Sequence, residues 1–412
     1  MALAPAGRLL AGLCNYGFGG TNAHAVLESA PLPETAPPRG EGRNVLLLSA
    51  HTREALQALA GDYAQALREH DPRSLAAEAE ATRDRLRHRL VLDLGARGDA
   101  VAELEAFHRT GRPATPVAAI QGEAVAARAR VAFVFSGNGS QWPGMGRAAW
   151  RANPRFRAAF DEIAAMVRAE GGACPLETME AADCAERLRL TTAAQPLIFT
   201  TQMALVAALE AEGLRPDLVL GHSVGEVAAA CASGALGLAD AVRLIVRRSA
   251  QQEFARDLGR MAVLACDGAR AAELLAEAGG GAVEVAALNG PASTTISGTQ
   301  EGVAAVIAAA RRERLAAVQL DIEYPFHSAL LEPAREPLIA ALSDIAPRPA
   351  HTPFLSTVTG QAAAGETLDA AYWWSNVRAP VLFQPAVEAA LAEAGVVVEI
   401  GPRPILGQAR QH

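Results

Sequence analysis

The most reactive arrangement in the chain is Gly221-His222-Ser223-Val224-Gly225, set between the apolar run Leu218-Val219-Leu220 and a helical stretch that begins at Glu226. A serine in a sharp strand-to-helix turn has its hydroxyl held clear of the backbone. Glycines two residues to either side let strand and helix approach closely, and the helix N-terminus points donors at developing negative charge. The chemistry this favours is nucleophilic acyl transfer. G-x-S-x-G arises by chance in about one chain in ten of this glycine and serine content. The setting between strand and helix, more than the five letters, therefore selects Ser223 over a plain structural turn.

A serine nucleophile needs a base from elsewhere in the chain. Of the nine histidines, His222 adjoins Ser223 but is turned sideways by the same bend, and His24 lies beyond a Pro-rich linker. His51, His70, His88 and His108 fall in a segment with helix-face or surface patterning, His351 adjoins a turn before Pro353, and His412 is terminal. His327, in Glu323-Tyr324-Pro325-Phe326-His327, sits where an inserted subdomain hands back to the main body, at a cleft of the kind that holds ligands. It is the candidate base. No aspartate between Ser223 and His327 has the loop setting of a third triad member, although Asp321 and Glu323 are near in sequence. A backbone carbonyl orienting the imidazole would meet the same need.

Two further features bear on the site. Phe135-Ser136-Gly137-Asn138-Gly139-Ser140-Gln141 follows an apolar strand and lacks the Gly-Lys-Ser/Thr ending of a phosphate loop. It is better suited to supply a backbone N–H, that of Asn138, to an oxyanion, with Val224 as the second donor. Arg247 and Arg248 interrupt an apolar helix. A guanidinium there suits a substrate carboxylate, while a surface pair or an internal salt bridge accounts for the two arginines equally well.

The elements that must position these groups fall into several segments. At 412 residues the chain suits two or three domains, and with half of it apolar it can bury substantial cores. Residues 1–28 are too short for a core and are expected to dock as an appendage or to be the end of something larger. Residues 29–43 read as a Pro/Gly-rich linker. Residues 44–112 read as a small α+β unit without chemistry. An α/β body over 130–259 and 325–406 encloses a strand-helix-strand-strand-helix-strand pattern over 260–324, the order of a ferredoxin-like subdomain.

Composition excludes several classes. A net charge of −8 repels phosphate backbones, and 5% aromatics offers little for base stacking, so nucleic acid is not expected as a partner. No apolar stretch of eighteen residues lacks polar breaks, so no membrane span is expected. The opening segment lacks a convincing secretory cleavage site. Five scattered cysteines argue against a disulfide framework or a zinc site and place the chain in a reducing cytoplasm.

Taken in order, the motifs FSGNGSQWPGMG, GHSVGE, the paired-arginine segment, LNGP, YPFH and VEIGP resemble the acyltransferase domain of a modular type I polyketide synthase, kin to malonyl-CoA:acyl carrier protein transacylases. AGLCNYGFGGTNAHAVLE is similar to the end of a ketosynthase domain, His24 matching one of its histidines, and 44–112 resembles the linker domain that joins the two. The resemblance implies an α/β-hydrolase-like body with an inserted ferredoxin-like subdomain, preceded by a small α+β linker domain. It implies Ser223 as nucleophile, His327 as base, Arg248 as partner of the substrate's free carboxylate, Asn138 and Val224 as oxyanion donors, and Gln195 and Asn289 as supports. Asn138 stands where the family usually has glutamine, which matters little for a backbone donor. A ketosynthase's reactive cysteine has no counterpart here, Cys14 being no substitute, so condensation is not expected.

The implied reaction is ping-pong transfer of an extender unit from coenzyme A to the phosphopantetheine thiol of an acyl carrier protein, with no permanently bound cofactor and no metal. The carrier and the rest of a synthase, including a ketosynthase, are the implied partners, and the isolated chain is expected to be monomeric. Extender choice falls to Tyr324, Pro325 and Phe326. In the family HAFH accompanies malonyl and YASH methylmalonyl, and Tyr-Pro-Phe-His is a hybrid. Phe326 fills the place where a serine makes room for an α-methyl, which favours malonyl; methylmalonyl or an unusual extender is the alternative. Thioester hydrolysis and a catalytically silent docking module are the rival readings.

Overall fold

The computed structural model describes residues 10–16, 19–20, 22–28, 44–95, 99–115, 119–125, 129–279 and 282–406. The linker assigned to 29–43 and His412 lie outside them. The chain divides into two units, residues 1–125 and 126–412.

In the first unit, β1 (Leu10–Tyr16) and β2 (Asn22–Glu28) form an antiparallel hairpin exposed along its whole length. β3 (Val45–Ala50), β4 (His88–Asp93) and β5 (Ala119–Glu123) form a three-stranded antiparallel sheet in that order. β3 alternates, burying Leu46, Leu48 and Ala50 against the helix Arg53–Glu69. That helix starts at Thr52, whose hydroxyl accepts from the Ala55 N–H at 3.1 Å, and it buries Leu56, Ala60, Tyr63, Ala64 and Leu67 along one face. The helices Pro72–Thr82 and Ala100–Thr110 begin at capping Asp71 and Asp99. The sequence misses β5, which carries this fold past residue 112. Four of its five residues are exposed, so no apolar alternation announces it.

The second unit has, in chain order, β6 (Val131–Phe135), β7 (Leu218–Gly221), β8 (Arg260–Leu264), β9 (Val283–Gly290), β10 (Ser293–Gly298), β11 (Ala317–Gln319), β12 (Phe354–Leu355), β13 (Ala362–Ala363) and β14 (Val396–Ile400). The body sheet runs β13-β12-β7-β6-β14, parallel except for the edge strand β13. Its central strands are apolar on both faces, as a parallel sheet covered by helices requires. The inserted sheet runs β11-β8-β10-β9, all antiparallel, with the helices Gly268–Glu277 and Gln300–Arg312 as its crossovers. This is the ferredoxin-like arrangement. The architecture is thus α/β, a hydrolase-like body with a ferredoxin-like insertion, and a small domain precedes it.

The last inserted strand is shorter than its apolar pattern predicts. The strand ends at Gln319 with one further bond, from the Leu320 N–H to the Met261 carbonyl, and Leu320–Tyr324 run on as irregular chain along the wall of a cavity. The helix Thr191–Ala211 is long and apolar enough to cross a membrane, yet two thirds of its most apolar stretch is buried inside the protein, where it packs against the helices Pro154–Ala169 and Leu238–Gln252.

Candidate active site

Ser223 stands between β7 and the helix Gly225–Ala232 with φ of +52°. A Cβ on Gly221 would lie 2.2 Å from the carbonyl carbon of Gly225, and one on Gly225 would lie 2.4 Å from the Phe135 carbonyl oxygen. Glycine at both places is therefore a steric requirement of the turn. His327 also has a positive φ, +59°, in a bend closed by the Ser328 hydroxyl donating to the Pro325 carbonyl at 2.7 Å. A left-handed residue of this kind costs about 1–3 kcal/mol and persists where the surroundings over-determine it.

The two bends bring Ser223 Oγ to 2.7 Å from His327 Nε2. His327 Nδ1 lies 2.8 Å from the Ala379 carbonyl, which can only accept. The proton therefore sits on Nδ1, and Nε2 presents its lone pair to the serine hydroxyl. Burial first, then the neighbouring Arg248 charge, pulls the His327 pKa down to about 3, so the ring is neutral at physiological pH. Among the described residues no hydrogen bond engages the backbone N–H of Asn138 or Val224, which leaves both free for an oxyanion.

Arg248 lies beside this pair, only 1% exposed, with Nη2 3.5 Å from Ser223 Oγ. Its neighbour Arg247 points the other way, to the Ala341 carbonyl and to Asp344 at 2.7 Å. The adjacent arginines thus separate into a buried group in the site and an outer salt bridge. Burial lowers the Arg248 pKa to about 9, against the opposing pull of Glu226, and the guanidinium stays charged at neutral pH. Gln195 accepts from Arg248 Nη1 at 2.7 Å.

Asn289 meets the site through His222. Its Oδ1 is 2.8 Å from His222 Nε2, its amide donates to Thr295 Oγ1 at 2.9 Å, and the His222 ring stands edge-on to Phe383. It therefore steadies the neighbour of Ser223 and makes no hydrogen bond to His327.

A cavity of about 710 Å³ opens over Ser223 and His327, walled by Asn138, Met261, Ile322, Phe326 and others. Tyr324 and Phe326 stack at 5.1 Å between centroids with planes 12° apart. The Tyr324 hydroxyl donates to Glu253 at 2.9 Å and accepts from the Thr191 N–H at 3.2 Å. Pro325 is not part of the cavity wall; it shapes the bend that carries His327. His24 lies on the hairpin of the first unit, its Nδ1 2.8 Å from Cys14 Sγ. Among the described residues no group of three or more histidine, cysteine, aspartate or glutamate side chains is placed to hold a metal.

Sequence reasoning misses three buried groups. Gln252 Oε1 accepts from Arg248 Nη1 at 3.1 Å. Asn376 Oδ1 accepts from Arg248 Nε and Nη2 at 3.3 and 3.1 Å, and its amide donates to the Ser223 carbonyl at 3.1 Å. Glu226, three residues after the serine, is fully buried and accepts from Thr357, from the Tyr372 hydroxyl at 2.8 Å and from Asn376 at 2.9 Å. Burial pushes its carboxyl up to about 7 despite those donors. A glutamate at the end of GHSVGE was available as a signal; nothing in the sequence marks Gln252 or Asn376.

Residues 132–412 match the family model described as acyl transferase domain, and residues 3–91 match the ketoacyl-synthetase C-terminal extension. Polyketide synthase GfsE of Streptomyces halstedii is 34% identical over 427 aligned residues, covering 96% of this chain and 11% of that protein. The chain thus spans about a tenth of the length of such curated relatives. The crystal structure of the acyltransferase domain from module 8 of the salinomycin polyketide synthase superposes with a TM-score of 0.81 at 32% identity, covering 88% of this chain and 86% of that one. A malonyl CoA-acyl carrier protein transacylase from Clostridium perfringens gives a TM-score of 0.62 at 28% identity over 69% of this chain and 90% of its own. The fold and these matches define an acyltransferase enzyme. More particularly, the chain belongs to the acyltransferase domains of modular type I polyketide synthases, preceded by the associated ketosynthase extension.

Proposed function

We propose that this chain transfers an α-carboxyacyl group, malonyl by preference, from coenzyme A to the phosphopantetheine thiol of an acyl carrier protein through an ester on Ser223. The observation that carries the reading is the convergence on one oxygen: Ser223 Oγ has His327 Nε2 at 2.7 Å and Arg248 Nη2 at 3.5 Å. His327 takes the hydroxyl proton as Oγ attacks the thioester carbonyl. The N–H groups of Asn138 and Val224 receive the oxyanion. The tetrahedral adduct collapses, the C–S bond breaks, and His327 returns the proton to the leaving thiolate. The carrier's thiol then gives its proton to His327 and attacks the acyl-serine carbonyl. The second tetrahedral adduct collapses, the C–O bond to Ser223 breaks, and His327 returns the proton to Oγ as the new thioester leaves. Arg248 pairs with the free carboxylate and disfavours acyl groups that would leave it buried and unpaired.

The malonyl preference is supported by Phe326, buried at the cavity wall and stacked on Tyr324. Phe326 narrows the space for an α-substituent, Tyr324 is the letter that accompanies methylmalonyl and leans the other way, and a methyl is worth only about 1–3 kcal/mol of discrimination. Among the structural relatives, the transacylase whose name specifies malonyl-CoA points the same way. We further infer that the partners are a carrier protein and the rest of a synthase, ketosynthase included, and that the five scattered cysteines suit a reducing cytoplasm.

Intact-protein mass after brief exposure to equimolar malonyl-CoA, methylmalonyl-CoA and acetyl-CoA, with Ser223→Ala alongside, tests this reading. A malonyl adduct on the parent and none on Ser223→Ala is expected. A larger or mixed adduct overturns the reading of Phe326. Free coenzyme A released without an adduct turns the assignment to thioester hydrolysis.

A further inference from the structure

Arg248 is held by amides. A guanidinium has five N–H donors. Nε and one N–H of Nη2 converge on Asn376 Oδ1. Both N–H groups of Nη1 are used, one on Gln195 Oε1 at 2.7 Å and one on Gln252 Oε1 at 3.1 Å. The remaining donor belongs to Nη2, which lies 3.5 Å from Ser223 Oγ. Three neutral oxygens thus hold four donors, and the fifth is left on the side where the acyl group must sit.

The orientation of these amides is itself fixed. Gln195 Nε2 donates to Thr191 Oγ1 and to Gln252 Oε1, so its oxygen must face the arginine. Asn376 Nδ2 donates to Glu226 and to the Ser223 carbonyl, with the same result. Among the described residues no carboxylate forms an ion pair with Arg248; Glu226, whose charge it feels, touches the far side of Asn376. A buried guanidinium ordinarily takes a carboxylate partner. Gln252 is placed where a glutamate would supply one.

We propose that Gln252 and Asn376 are positioning residues that determine specificity: with Gln195 they hold Arg248 in an uncharged cage, so that the carboxylate of the substrate is the first counter-ion the guanidinium touches. The preference for carboxyacyl over plain acyl thioesters then depends on these residues being amides. This inference rests on the reading of Arg248 as the carboxylate anchor.

Gln252→Glu is the direct test. A glutamate there accepts from the same two donors, Arg248 Nη1 and Gln195 Nε2, so the geometry is kept while an internal counter-ion is introduced. The ratio of kcat/KM for malonyl-CoA to that for acetyl-CoA should fall at least about tenfold, chiefly through KM for malonyl-CoA, while the melting temperature rises because the buried charge has gained a partner. A structural role alone would lower both activities together with stability. An unchanged malonyl-to-acetyl ratio in a folded Gln252→Glu protein overturns the proposal. Should that variant fail to fold, Gln195→Glu places a carboxylate on the same nitrogen; because it forfeits the donation to Gln252 Oε1, the malonyl-to-acetyl ratio alone is its readout. Arg248→Ala separates the two levels: if it leaves the ratio unchanged, the anchor reading fails; if it collapses the ratio and Gln252→Glu does not, only the cage is wrong.

Discussion

Two arginines in different regions of the second unit solve opposite problems. Arg270, on the first helix of the ferredoxin-like subdomain, is surrounded by Glu273, Glu277 and Glu313, and these carboxylates hold its pKa above the ordinary value. Arg248, on a core helix of the body, is surrounded by Gln195, Gln252 and Asn376, and burial holds its pKa below. At the surface, where water already screens the charge, three counter-ions are easily supplied and each adds little. In the interior, where one counter-ion would add much, none touches the guanidinium. The difference teaches that local charge pairing is not what placed Arg248; the neutral surroundings keep its charge available to a ligand.

The comparison breaks most completely at the oxygen that the interior arginine faces. Ser223→Ala should abolish the acyl adduct, and transfer should fall by about 10⁴-fold or more in a stopped assay of coenzyme A release. His327→Ala should lose about 10³–10⁴-fold in the acylation rate while the protein still binds malonyl-CoA, as isothermal titration would record.

Arg248→Lys sharpens the contrast. An ammonium keeps the charge but not the fork, so it cannot reach three amides and a carboxylate at once. Its kcat/KM for malonyl-CoA should drop at least about tenfold with little change for acetyl-CoA. Arg270→Ala is the matching surface change and should leave the acylation rate unaltered, with only a small shift in melting.

Acidity gives a smaller and graded effect. Because His327 titrates near 3 in the folded protein, acylation should not decline between pH 7 and 5, where an ordinary histidine would become protonated. Over the same range the unfolded chain binds a proton at that histidine which the native state refuses. That histidine alone lowers stability as pH drops below about 6.5, whereas Glu226, raised to about 7, takes up a proton in the native state first and adds stability over the same range. Melting curves at pH 7 and pH 5 should show the histidine's loss in Glu226→Gln and an offset in the parent. A rate loss centred near 6.5 would mean that the imidazole is more hydrated than its burial indicates.

The fold is legible wherever periodicity and chemistry coincide. The strand, glycine turn and helix over 218–232 are readable because a steric requirement is written in two glycines, and the inserted subdomain is readable because its apolar runs change period in order. β5 escapes because four of its five residues face solvent, and the strand drawn to Tyr324 is cut short because Asp321–Tyr324 line the cavity instead of continuing the ladder. In the site, reactive side chains announce themselves and amides do not. Gln252 and Asn376 act by where an oxygen points, which no spacing encodes, and Asn289 meets His222 from a register shift in the β9–β10 pairing.

The carbonyl behind His327 has one more consequence. A peptide dipole cannot titrate and carries no net charge, so the Ala379 oxygen orients the ring without making its protonated form a resting place. In the proposed cycle the proton is therefore lent and returned within each half-reaction, and the two thiols that exchange the acyl group are chemically near twins. Such a site works as a turnstile: it sets no direction of its own, and flux through it follows whichever thioester is more abundant and whichever thiol is next removed.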